Sequence, residues 1–79
     1  MGVRFTKLQD GSIGVCSVNE KHGRNEVSQP HFYLVRDAVF PETMWRVRFP
    51  SGELSDMTNL VRAQDLAILV LKRLLRRAA

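Results

Sequence analysis

One cysteine, two histidines and eight carboxylates are all that this 79-residue chain offers to nucleophilic, acid–base or metal chemistry. Cys16 would serve as a nucleophile only with His22 or His31 within hydrogen-bond reach and its thiol acidified. A free cysteine is more often a small buried apolar group. The two histidines and Cys16 form no C-x-x-C or H-x-x-x-H pair, so the ligand spacing of a metal centre is missing. Glu53 and Asp56 sit close together in a polar stretch and do not read as an acid–base pair. Gly11, Gly14, Gly23 and Gly52 are scattered singly, as turn and strand glycines, and build no phosphate loop. The chain therefore reads as a non-enzyme with no cofactor and no metal.

Its length makes one small domain, residues 1–79, with a core that is marginal unless something reinforces it. A lone cysteine excludes an intramolecular disulfide and suits a reducing, cytoplasmic setting. The N-terminus lacks the apolar stretch of a signal peptide. The longest apolar run, Leu66 to Leu71, falls far short of the roughly 20 residues of a membrane span. The charge is unevenly placed. Seven basic and seven acidic residues cancel before Arg62, after which five basic residues face one acidic residue, leaving the net +4 at the C-terminus.

Runs at Val3–Leu8 and Ile13–Val18 flank Gln9-Asp10-Gly11-Ser12, and Asp-Gly is a favoured type I′ pair, so a hairpin is expected there. Residues 19–30 are polar, without strand or helix period, and read as a mobile loop. A third strand is expected over His31–Arg36, followed by a break at 37–43. From Met44 to Phe49, Trp45, Val47 and Phe49 alternate with Met44, Arg46 and Arg48, the pattern of a strand with one buried face. Leu54–Thr58 can pair back as a further strand. From about Val61, after a cap at Thr58 or Asn59, apolar residues recur at helical spacing on an arc of roughly 200°. The expected fold is α+β: an antiparallel sheet of four or five strands with one C-terminal helix across one face.

Two surfaces then qualify for binding. The helix edge carries Lys72, Arg73, Arg76 and Arg77, and the open sheet face carries Arg46 and Arg48 with Tyr33 nearby. Either set can meet carboxylates of a protein partner or phosphates of a nucleic acid. The apolar arc is also wider than the stripe one sheet consumes. Its surplus, Ile68, Leu69, Leu71 and Leu75, either forms a homodimer interface or is absorbed by a strongly curved sheet. A basic amphipathic helix can lie in a lipid headgroup layer, but the sheet needs this arc to fold, so a membrane partner is not expected.

The segment from Trp45 to Leu66, WRVRFPSGELSDMTNLVRAQDL, resembles one found in small bacterial proteins that carry no assigned function. The order of elements is similar to that of AP2-type and integrase N-terminal DNA-binding domains, in which a three-stranded sheet enters the major groove and a C-terminal helix backs it. On that resemblance Tyr33, Arg46 and Arg48 would face DNA. Small phage and mobile-element proteins, including some anti-CRISPR inhibitors, are similar in size and layout. The function expected is a non-catalytic binding module acting by protein–protein contact, with sheet-type DNA or RNA binding as the alternative.

Overall fold

Alternating side chains divide the strands between two environments, and the sheet follows from that division. A computed structural model describes residues 2–78. Its strands are β1 (Gly2–Lys7), β2 (Ile13–Lys21), β3 (Arg24–Val27), β4 (Phe32–Arg36) and β5 (Trp45–Arg48), and one helix follows, α1 (Leu60–Ala78). All strand pairs are antiparallel, in the order β1-β2-β4-β5, with β3 pairing the far half of β2. The expected α+β class is the observed one: five strands and a C-terminal helix.

The helix lies on the face formed by Ile13, Val15, Phe32, Leu34, Trp45 and Val47. It meets them through Ala63, Ala67 and Leu71, and all nine are buried. Ala63, Ala67 and Leu71 recur every four residues and form the contact stripe of the seam, its small alanines allowing close approach. Leu60, Leu66, Val70, Leu74 and Leu75 pack around it, with Val3, Phe5 and Phe49 from the sheet. Asn59 caps the helix, its Oδ1 accepting from the Arg62 N–H at 2.9 Å. Arg76 and Arg77 occupy the last turn, at the negative end of the helix dipole.

Three local expectations are corrected. The first hairpin does not turn through a type I′ pair at Asp10-Gly11. The Gly11 N–H bonds the Leu8 carbonyl and only Gly11 of the two has positive φ, so a longer loop is closed by Asp10 accepting from Ser12 N and Oγ. The two-residue turn with both φ positive lies at His22-Gly23 (53° and 76°), inside the stretch expected to be a loop. That turn folds residues 19–27 into a hairpin arm, Lys21 opposite Arg24 and Val18 opposite Val27. Finally, Leu54–Thr58 is not a continuous strand. It touches β5 at two isolated bridges, Trp45 to Thr58 and Arg48 to Leu54. Between them the Ser55 hydroxyl takes the Val47 N–H in place of a backbone carbonyl, which breaks the ladder.

β3 and β4 share one edge of β2, and the step between them is pinned at Ser17. Its backbone exchanges bonds with Ser28, while the His31 ring Nε2 lies 3.0 Å from Ser17 Oγ and 3.1 Å from Ser28 Oγ. Pro30 closes the step over Gly14. A Cβ at position 14 would lie 2.8 Å from the Pro30 Cγ and 3.2 Å from its Cβ, a ring with no rotamer to escape into. Gly14→Ala is therefore expected to cost about 1–3 kcal/mol, the usual range for overpacking, measured as a lowered urea midpoint with unchanged slope. A neutral result would mean Pro30 does not cover Gly14.

Candidate functional site

The face of the sheet turned away from the helix was expected to gather Tyr33, Arg46 and Arg48. Register does bring Tyr33 opposite Arg48 and Val35 opposite Arg46. The chemistry then divides the two arginines. Arg46, 31% exposed, donates from Nε to Asp37 Oδ1 at 2.7 Å and from NH1 to the Ser55 carbonyl at 2.9 Å. Its fork is occupied within the fold, so Arg46 is a clasp between β5, the edge segment and the loop after β4. Arg48 stays exposed, on the rim of an open cleft of about 450 Å³ lined by Tyr33, Val35, Arg36, Leu8 and Asp10. The first-hairpin loop thus brings a carboxylate to the same cleft. Asp10 is held below the usual carboxylate range chiefly by the Ser12 hydroxyl, then by the Ser12 N–H, with a smaller contribution from Arg48. A cleft with one arginine and one ionised aspartate is a poor match to a continuous run of phosphates.

Asp37 organises a second feature that the sequence reading treated only as a break. Its carboxylate is buried, and it accepts from Arg46 Nε, from Val39 N–H at 3.0 Å and from Phe40 N–H at 2.9 Å. These bonds, led by that to Arg46, hold its pKa below the ordinary carboxylate range despite burial. Asp37 N–H bonds the Met44 carbonyl, Met44 N–H bonds the Phe40 carbonyl, and Arg36 NH1 donates to the Pro41 carbonyl at 2.7 Å. Arg36 is itself fixed, its guanidinium 4.6 Å from the Trp45 ring centroid. The result is a tightly bonded loop that places two large apolar side chains in solvent, Val39 at 74% and Phe40 at 51% exposed. Sequence reasoning missed both. The signal was present in Asp37-Ala38-Val39-Phe40, an acidic residue two and three positions before N–H groups it can cap.

On the helix, Lys72, Arg73, Arg76 and Arg77 are exposed as expected. The candidate interface leucines are not equivalent. Leu71 is fully buried and so is not offered to a partner, whereas Leu75 is half-buried and packs partly against the core. Leu69 is 49% exposed and Ile68 half-buried. The sheet absorbs Leu71 and part of Leu75 from the surplus arc.

Cys16 is buried on the outer face, with the Thr6 hydroxyl 3.9 Å from its sulfur. Among the described residues no three His, Cys, Asp or Glu side chains gather into a metal-binding group, and no helix is long and apolar enough to cross a membrane. The contact between Ser17 and His31 has the pairing of a nucleophile and base. Ser17 is buried, however, and among the described residues no carboxylate bonds the ring, so the contact serves the strand step. Comparison with protein-family models, with curated proteins and with solved structures returned no match.

Proposed function

We propose that the chain is a non-catalytic binding module that docks on another protein through the loop between β4 and β5. One observation carries the reading: Val39 and Phe40 are displayed on a loop that is already rigid. Single exposed apolar side chains such as Val61 and Leu69 are ordinary, but adjoining ones such as Val39 and Phe40 favour a contact site. An aromatic anchor on a preorganised loop loses little conformational entropy on binding, which is how a few residues come to dominate an interface. Glu42 and the Arg36 side chain flank the anchors and supply a polar rim. The buried free thiol of Cys16 suits action in a reducing compartment.

Homodimerisation through α1 has less support than the width of its apolar arc suggested, since Leu71 belongs to the core and Leu75 packs partly against it. The expected state is a monomer at high micromolar concentration, read by light scattering.

The docking reading is tested with the wild-type chain and a Val39→Ser, Phe40→Ser variant, matched for folding by circular dichroism. A protein retained by the first and released by the second, then purified and titrated directly, should bind the variant at least about tenfold more weakly, the loss of one modest hot spot. A partner that binds both equally would remove the loop from the interface.

A further inference from the structure

We infer that the end of the molecule where the β2–β3 arm and the C-terminal turns of α1 project is a binding surface for duplex DNA. The arm would enter the major groove and the helix cations would lie on flanking phosphates. Four observations converge on this.

First, the arm has no role in the core. Residues 19–27 are all exposed, and the turn that holds them together tolerates a non-glycine residue, His22, at positive φ. Lys21 stands directly opposite Arg24, a cross-strand pair of like charges that weakens a hairpin standing alone. A segment that pays both costs without stabilising the body is expected to be kept for contact.

Second, the faces agree. Side chains alternate along β2, so Lys21 lies on the same side as Ile13, Val15 and Ser17, the side covered by α1, and Arg24 lies beside it. The two arm cations therefore lie on the helix side of the molecule, with Glu26 on the same face and Glu20 on the other, so the net positive charge of this end comes from the helix.

Third, the helix runs toward the arm. Leu60 lies beside Ile13 and Trp45, at the opposite end of β2 from the arm. Eleven residues later, roughly 16 Å along the axis, Leu71 is still fully buried. The helix packs mainly on β5, β2 and β4, so it stays over the sheet. Lys72, Arg73, Arg76 and Arg77 follow in the last turns, beyond Leu71 and away from the Leu60 end, with no acidic residue after Asp65.

Fourth, the cations at the two ends differ in their commitments. Arg46 is paired with Asp37, Arg36 lies on Trp45, and Arg48 shares its cleft with Asp10. Among the described residues the Arg46–Asp37 contact is the only salt bridge, which leaves Lys21, Arg24, Lys72 and Arg73 free of carboxylate partners.

The dimensions select the duplex. A B-form major groove, about 12 Å wide and about 8.5 Å deep, admits a two-stranded ribbon. Four residues from Asn19 to His22 reach about 13 Å, enough to span that depth. The major groove of A-form RNA is too narrow for side chains to read.

The test is fluorescence anisotropy of a labelled mixed-sequence DNA duplex of about 20 base pairs, with the full chain at about 50 and about 200 mM salt. Roughly four phosphate contacts should weaken binding by about 10²-fold between the two salts. Lys21→Gln with Arg24→Gln, and separately Arg73→Gln with Arg76→Gln, should each weaken it at least about tenfold, while Arg48→Gln leaves it unchanged. The arm variant should melt like wild type, since the arm buries no core residue. The inference is overturned by no duplex binding at the lower salt, by tighter binding to duplex RNA, single strands or an acidic polypeptide, or by full binding in the arm variant.

Discussion

Leu71→Ala is expected to lower the unfolding free energy by about 2–5 kcal/mol, the range for truncating a buried leucine. Roughly 0.05–0.15 kcal/mol per residue gives a chain of this length a total of about 4–12 kcal/mol, so the change removes a large share of it. Leu71 is fully buried within the apolar cluster between α1 and the sheet, so its truncation leaves a cavity in packed surroundings. Leu69→Ala, two residues earlier on the solvent side, should stay within about 0.5 kcal/mol. Urea melts followed by circular dichroism measure both. Equal costs at the two positions would mean that the helix is rotated about its axis and that the leucine surplus faces elsewhere.

Acid should dissolve the Asp37 clasp. The carboxyl of Asp37 is held below its ordinary value of 3.8, first by Arg46 and then by the Phe40 N–H. Because the folded state binds the proton less readily than the unfolded chain, the carboxylate's contribution is fully present above the ordinary value. It is lost as pH falls below that value and through the depressed folded one. Asp37→Asn keeps one oxygen for the loop N–H groups but turns an amide donor or a neutral oxygen toward Arg46, whose charge is left without its partner. The variant should be clearly less stable than wild type at neutral pH, and the gap should close in acid. Urea midpoints at neutral pH and near pH 3 measure this. A constant gap across that window would mean that the Arg46 contact contributes nothing and that Asp37 acts only as a loop cap. The same variant should loosen the display of Val39 and Phe40, linking acid sensitivity to docking.

The elements with an apolar period were legible before any coordinates. Trp45, Val47 and Phe49 alternate, and α1 carries leucines at helical spacing, because each is amphipathic and its period states which face must leave water. The arm was not legible for the complementary reason. Residues 19–27 bury nothing, so no period marks them, and only the His22-Gly23 turn and pairing with the far half of β2 hold them extended. The ragged edge at Leu54–Thr58 likewise turns on one serine hydroxyl taking a backbone N–H.

Candidate sites divide in the same way. Alternation places Arg46 and Arg48 on the open face, and both are there. Whether each arginine is available depends on carboxylates distant in sequence, Asp37 for Arg46 and Asp10 in the cleft beside Arg48. Charge content, helix and buried strand faces are local properties, written in residue type and spacing. The commitment of each arginine, the burial of Leu71 and the exposure of Phe40 on a hydrogen-bonded loop are non-local. They arise only when the sheet's register brings separated segments together, and no single segment carries that register in its own composition.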